Sequence, residues 1–487
     1  MTFSEIISSI SSVLMGYPLV VLCLGAGLFF SIKTRFLQLR YFKRMFKLLF
    51  SGKSSRYGIS SFQAFMLALA GRVGTGNIAG VATAIALGGP GSVFWMWITA
   101  FLGASTAYIE SSLGQVYKEK IGGHFRGGPA FYILKGLKCR WFAVVFALST
   151  IIAEGILTPG VQSNGVAYSF QHAFGVDLWV TSLIVGLLIA LVIFGGIKRI
   201  ARVAEFITPF MAFLYVVVAC IIITVNYSMF ADVFSLILKS AFGLEPALGG
   251  IAGAAIAMGV KRGIYSNEAG QGSAVHAAAA ANVSHPAKQG LVQAFSVYVD
   301  TLLVCSATAF IILSTGMYNV FGSDGSIVYA GGNIPADIVE HGPIYTQLGV
   351  DSILPGFGAP FVAIVLSMFA FTTLISYYFQ AESNIYFLFR DGKKAKYMLF
   401  ILKISFIVIM FFTSIAEMQL AWDIADIGVG LMAWTNIIAI ILLQKIAMKT
   451  FYSYEKQLKK GIKEPVFNPH EAGIKEETVW DNMMPKS

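Results

Sequence analysis

The sequence predicts an all-α polytopic membrane protein with eleven transmembrane helices: one leading helix, then a core of two five-helix inverted repeats, each with a broken helix. Three observations carry that prediction. Of 487 residues, 56% are hydrophobic and only 12% charged, about half the charged fraction of an average soluble domain. The basic residues gather in stretches separated by runs poor in Lys and Arg. Two glycine-rich segments interrupt apolar runs at matching places in the two halves.

A helix needs about 20 mostly apolar residues to cross a bilayer. Candidate spans lie near 13–32, 61–87, 92–117, 141–172, 178–197, 203–225, 247–275, 290–316, 357–389, 397–417 and 426–446. The first of these reads as a retained helix rather than a signal peptide, because Glu5 replaces a basic start and no small-residue cleavage site follows. The chain thus divides into a leading helix with a basic cytoplasmic linker (1–60), a first repeat (61–225) and an extracellular linker (226–246). A second repeat (247–447) and a cytoplasmic tail (448–487) complete it.

The net charge of +10 raises the question of nucleic acid, and its placement answers it. Lys33, Arg35, Arg40, Lys43, Arg44, Lys47, Lys53 and Arg56 lie in one inter-span stretch. Further basic clusters occupy 118–140, 198–202 and 390–396, and eleven crossings put all of them on one side. The loop 317–356 has no Lys or Arg, only Asp324, Asp337, Glu340 and Asp351. This is the positive-inside pattern, so the expected partner is the lipid bilayer and not nucleic acid, with the N-terminus outside and the C-terminus cytoplasmic. Cys23, Cys139, Cys220 and Cys305 have no paired spacing, and the histidines, His276 and His285 among them, have no metal spacing. Neither a disulfide framework nor a metal site beyond a coupling ion is expected, and no cofactor.

The interrupted spans carry the function. Gly71-Arg-Val-Gly-Thr-Gly-Asn-Ile-Ala-Gly80 lies inside the second span, and the segment from Gly259 to Ser273 inside the seventh. Each sets glycines, an Asn and a charge at bilayer depth, where backbone leaves the helix only if protein or a cavity receives it. An offset of five spans reverses orientation, which makes the halves inverted repeats. Paired broken helices point to a secondary transporter's midplane site. Gly76 and Gly80 also fit simple close packing. Gly74-Thr-Gly-Asn-Ile-Ala79 matches a dinucleotide fingerprint, but no strand precedes it and the next acid is Glu110, so that reading fails.

Val73-Gly-Thr-Gly-Asn-Ile-Ala-Gly-Val-Ala-Thr-Ala-Ile, then Gly88-Gly-Pro-Gly and Phe94-Trp-Met-Trp97, resemble the alanine/glycine:cation symporter family. Ser266-Asn-Glu-Ala-Gly, Ala277–Ala281 with Pro286 and Gln289-Gly, Asp300 with Val304-Cys305, Phe369-Ala-Phe-Thr-Thr373 and Gly473-Ile-Lys extend the likeness over about 60–475. The resemblance implies a prokaryotic cell-membrane protein with a leucine-transporter-like core. It implies uptake of small neutral amino acids coupled to sodium, or to protons in some members.

A zwitterion needs donors for its carboxylate and acceptors for its ammonium. Free N–H groups around Thr75, Gly76 and Asn77 suit the carboxylate, and freed carbonyls suit hard cations. The resemblance implies a sodium between the carbonyls of Ala70 and Val73 and the helix face bearing Phe369, Thr372 and Thr373, with Asn77 placed as a ligand of a second ion. It also implies a pocket lined by Gln162, Tyr168, Gln271, Thr373 and Tyr377. Tyr377 stands where many members have tryptophan and Gln271 where many have methionine, which makes glutamine a rival to alanine and glycine. Thr-Thr pairs also back-bond to their own helix, and lone Tyr or Gln residues also pack between helices. Arg72, Arg262 and Glu268 read as a gating or coupling ion pair across the two breaks, or as a static neutralising pair. An amino-acid-gated channel or receptor is the alternative of another class. The spans hold no H-E-x-x-H or G-x-S-x-G constellation, so no enzyme is expected.

Overall fold

A computed structural model describes residues 2–52, 54–245, 248–322, 325–335, 338 and 341–481. Lys53, Asp324, Asp337 and Glu340 lie outside the described residues.

The leading run is α1 (Phe3–Leu14) and α2 (Tyr17–Lys33), joined at Gly16. Thr2 and Glu5 form a capping box, so the helix starts well before the apolar window near 13. The short α3 (Leu37–Arg40) and α4 (Phe42–Leu49) carry the basic linker. Next come α5 (Ser61–Arg72) and α6 (Val81–Gly88), bent by 51° across the first break. Then follow α7 (Gly91–Val116), the hairpin β1 (Glu119–Ile121) and β2 (His124–Arg126), and α8 (Pro129–Gly136). The expected span near 141–172 is α9 (Arg140–Ile152) and α10 (Thr158–Phe174), joined through a π turn at Ala153–Leu157. Helices α11 (Leu178–Ile193) and α12 (Ile197–Val225) close the first half, and the linker holds α13 (Phe230–Ala241).

The second half opens with α14 (Ala252–Asn267) and α15 (Val275–Ala280), then α16 (Pro286–Val297), which runs through a π segment at Tyr298–Cys305 into α17 (Ser306–Thr315). The acidic loop contains the hairpin β3 (Asn319–Phe321) and β4 (Ile327–Ala330) and α18 (Pro343–Asp351). Then come α19 (Gly358–Phe389), α20 (Lys393–Ser414), α21 (Met418–Leu442) and α22 (Gln444–Lys459). Among the described residues eight helices are long and apolar enough to cross a membrane, or nine with the bent α5–α6 pair. Two of the eleven expected spans fall short of that length. Helix α11 has 16 residues, and α14–α15 is interrupted. Helix α21 begins at Met418 rather than near 426, because Asp423 and Asp426 are buried on its inner face and do not mark its edge.

The glycines of the seventh span do two different jobs. A Cβ on Gly259 would meet Trp95 Cβ at 2.6 Å and one on Gly263 would meet Thr99 at 3.2 Å, so these two let α14 lie against α7. The chain leaves the helix later, where Glu268, Gly270 and Gly272 have φ of 55°, 91° and 82°. Across the same helix, Gly290 of α16 faces Ser112 and Tyr108 of α7, whose ring lies 2.8 Å from the place of a Cβ. Gly290→Leu is therefore expected to cost about 1–3 kcal/mol by overpacking. A clear fall in the melting temperature of the detergent-purified protein checks it, and an unchanged one would mean that α16 has slack against α7.

Candidate functional site

At the first break Val73 leaves helical backbone at φ −80°, ψ 90°. Asn77 holds the loop together: Gly74 N–H donates to Asn77 Oδ1 at 2.8 Å, and Asn77 N–H to Gly74 O at 3.2 Å. Thr75 N–H donates to Gln162 Oε1 at 3.0 Å. The Gln162 amide nitrogen reaches the hydroxyls of Tyr265 (3.3 Å) and Tyr377 (3.5 Å). Position 74 admits only glycine, since a Cβ would lie 2.5 Å from Thr373 Oγ1 and 2.8 Å from Gln162 Oε1.

The Thr373 hydroxyl is the centre of an oxygen cluster. It lies 2.8 Å from Ala70 O, 3.2 Å from Val73 O and 3.0 Å from Phe369 O. A hydroxyl has one proton, so it cannot satisfy all three carbonyls. Oxygen donors of this kind could hold a hard cation. Thr372 faces elsewhere: its hydroxyl returns to Phe369 O (3.0 Å) and Met368 O (3.2 Å), with Met211 Sδ at 3.5 Å.

A second cluster gathers on Asp300, buried in the π segment. Its carboxylate accepts from Asn77 Nδ2 (2.6 Å), Ser266 Oγ (3.0 Å) and Thr301 Oγ1 (2.7 Å), joining the first break, the end of α14 and the π segment. Thr308 Oγ1 donates to Asn77 O at 2.6 Å. A π insertion widens a helix turn and recurs at functional sites.

The sequence profile of the sodium:alanine symporter family matches residues 1–469. The chain belongs to the sodium:alanine symporter family. It is 47% identical over 445 residues to the sodium/proton-dependent alanine carrier protein of Bacillus sp. (strain PS3), covering 90% of this chain and 97% of the relative. It is 43% identical over 465 residues to GlnT of Bacillus subtilis (strain 168), named a probable sodium/glutamine symporter, covering 95% and 93%. Its fold is similar to that of the MhsT chain crystallised with L-phenylalanine, with a TM-score of 0.53 and 11% identity over 88% of this chain and 95% of that one. The chain is thus a cation-coupled amino-acid symporter of a multi-pass bacterial membrane family, and not an enzyme.

In this symporter the charges pair differently from the expectation. Neither arginine forms an ion pair with Glu268 among the described residues. Arg262 grips Asp426 of α21 with both terminal nitrogens (3.2 and 3.0 Å), Lys261 joins at 2.7 Å, and the guanidinium lies 4.2 Å over the Trp422 ring. Trp422 meets Tyr265 edge-on at 4.9 Å, which links this pair to Gln162 and the first break. Arg72 donates to Gln293 O (3.1 Å) and Ser296 Oγ, while its Nε and Nη2 find no partner among the described residues. Glu268 Oε2 accepts from Ser273 (2.7 Å), and its Oε1 lies 3.3 Å from the place of a Gly71 Cβ, also without a partner among the described residues. The two groups are neighbours held apart.

Three pocket residues also need revision. Tyr168 lines a separate cavity of about 250 Å³ with His172, His341 and Gln347, beside the acidic loop and away from Gln162. Gln271 folds back to donate to Ile264 O at 2.6 Å, so it caps the last turn of α14. The Asn77 oxygen is taken by Gly74 N–H, so Asp300 and Ser266 supply the oxygens beside it. Glu110, Glu154, Asp300 and Asp426 are buried acids to which the sequence reading gave no role. The signal was available: each is an acid inside an apolar span, a functional candidate by default.

Two substitutions separate the clusters. Thr373→Ala is expected to raise the apparent sodium constant about tenfold or more, by loss of about 1.5–3 kcal/mol of interaction with a charged group, and Thr372→Ala to change it far less. Sodium titrations of alanine uptake check this, and equal shifts would make the two hydroxyls equivalent. Asp300→Asn keeps the shape but removes the charge, and is expected to weaken sodium dependence while the protein still inserts. Normal sodium dependence in Asp300→Asn would remove that carboxylate from the ion's surroundings.

Proposed function

We propose that the protein is a sodium-coupled symporter of small neutral amino acids, alanine and glycine first, working by alternating access. The observation that carries this reading is the four-oxygen cluster of Ala70, Val73, Phe369 and Thr373, built where one broken helix meets α19. Sodium would sit there. The substrate carboxylate would lie at Gly76 and displace the Gln162 oxygen from the Thr75 N–H, with the freed Gln162 amide and Tyr377 beside the side chain. Small size follows from crowding: a Cβ on Gly76 would lie 3.1 Å from the Tyr265 ring. A cation near Asp300 would join the substrate carboxylate to the second break.

The same reading includes eleven crossings, with α11 and α14–α15 counted as membrane segments. The N-terminus would be outside and the tail cytoplasmic, and 61–225 and 247–447 would be inverted repeats. The name printed for GlnT and the hydroxyls of Tyr265 and Tyr377 favour glutamine as a second substrate. Proton coupling is the alternative drawn from the Bacillus sp. relative's name.

Counterflow in proteoliposomes with twenty amino acids, in sodium and in choline, tests the whole reading. Alanine and glycine are expected to exchange only with sodium. Equal exchange in choline would reject sodium coupling, and a pH gradient then driving uptake would put protons in its place. Competition by unlabelled glutamine decides the second substrate.

A further inference from the structure

The strongest feature outside the site is the C-terminal tail, which is folded against the chain leaving the second broken helix and the end of α7. On the side of the basic loops, the chain entering α5 and the chain leaving α15 are joined by two backbone bonds, Ile59 N–H to Ala280 O (3.0 Å) and Asn282 N–H to Ile59 O (2.9 Å). Gln115 and Lys118, just where α7 ends, both donate to Ala281 O at 3.0 Å. Over this seam lies the tail. Ser284 exchanges two bonds with it, donating to Pro465 O (2.8 Å) and accepting from Phe467 N–H (3.0 Å), while Lys288 pairs with Glu464.

Phe467 packs between His285 and Trp480, at 5.3 Å from each ring. Trp480 is 1% exposed, donates its indole N–H to Gln115 O at 3.1 Å, and lies 4.6 Å beneath the Lys118 amine. The Gly473-Ile-Lys turn, with Gly473 at φ 89° and Ile474 N–H bonded to Pro469 O, brings Trp480 back to α7. The seam is dry. Burial lowers the Lys118 amine to about 7 and, with Lys288, the His285 imidazole to about 3.

We infer that residues 463–481 are a latch that pins the chain leaving the second broken helix to α7 on the basic face, with Trp480 as the positioning residue that sets how readily that face opens. The inference rests on the alternating-access reading above. Opening this face requires the chain before α5 and the chain after α15 to separate, which breaks the Ile59–Ala281 bridge. Phe467 holds the second of these chains and Trp480 holds α7, so that chain moves away from Ile59 only when they withdraw. A cavity of about 330 Å³ beneath the tail, lined by Ser51, Gly52, Ser284, Phe467 and Trp480, leaves room for that movement. The ion site lies at the other end of the same broken helices, so sodium and the latch bias one equilibrium from two ends.

The test uses the full chain in proteoliposomes, with Ala281→Cys as reporter in a Cys139→Ser background. Labelling by a membrane-impermeant maleimide from the tail side reads the opening. Trp480→Ala is expected to speed labelling about tenfold, a shift of about 1.4 kcal/mol. Trp480→Phe restores slow labelling, and sodium slows it in every variant. Equal rates with Trp480 and with Trp480→Ala overturn the latch. So does faster labelling that ignores sodium, because a brace that merely stabilises the fold would not respond to the ion. Sodium-driven alanine uptake by the parent chain is measured separately, so failure of the transport reading is distinguishable from failure of the latch.

Discussion

Everything around the centre follows from one constraint: inside a bilayer no water is available to satisfy a peptide group that leaves its helix. The breaks at Val73–Thr75 and at 268–274 free carbonyls and N–H groups, and the surrounding helices are arranged to meet them. Gln162 receives Thr75 N–H, Asn77 receives Gly74 N–H, and Thr308 reaches Asn77 O. Gln271 turns back to Ile264 O at the second break. These side chains come from α10, from the first broken helix, from α17 and from the second broken helix. The breaks are therefore the points at which both halves of the chain are tied together. The carbonyls around Thr373 converge on a hydroxyl with one proton to give, which is why the proposed ion is placed there.

The charges divide by the same logic into committed and uncommitted. Asp426 is fully engaged by Arg262 and Lys261, and the Trp422 ring covers the guanidinium. Removing one partner of such a buried pair strands the other, which is why buried pairs stay closed. Arg72 and Glu268 are the reverse. Each keeps a hydrogen-bonded edge and an edge without a partner among the described residues, one on each broken helix. A committed pair fixes geometry, whereas two half-satisfied neighbours leave theirs less determined.

Much of this was legible in the residues. The apolar windows located most of the helices but missed starts by up to about ten positions, and the motif from Val73 to Gly80 located the first break, because glycine with Asn at bilayer depth has few other uses. Spacing put Phe369, Thr372 and Thr373 on one face without separating the two threonines, and only the contacts show that Thr373 reaches Ala70 and Val73. The failures share a cause. Hydropathy treats an acid as the edge of a span, so Asp426 marked a helix end and its role as the Arg262 partner was lost. Gly259 and Gly263 looked like part of the break because composition cannot separate a glycine needed for close approach from one needed for positive φ. Tyr168 and Gln271 were assigned from sequence position, and side-chain direction follows from contacts that sequence position does not contain.

The buried acids of the centre have few cations beside them, and that bears on how the proposed ion and amino acid would act on each other. Glu110, Glu154, Glu268 and Asp300 are each no more than 1% exposed, and Arg72 is the nearby cation that Asp426 has not engaged. Neutral donors soften each carboxylate: Asn436 and Gly270 N–H for Glu110, Thr158 for Glu154, Ser273 for Glu268. Burial opposes the charged form of each, and a buried carboxylate without a cation takes up a proton rather than stand as a bare ion. A zwitterionic amino acid does not change that balance, because it brings no net charge. Under the proposed sodium coupling, a cation bound among these acids would favour their charged forms and attract the substrate carboxylate, and reciprocity would make the amino acid tighten the ion by the same factor.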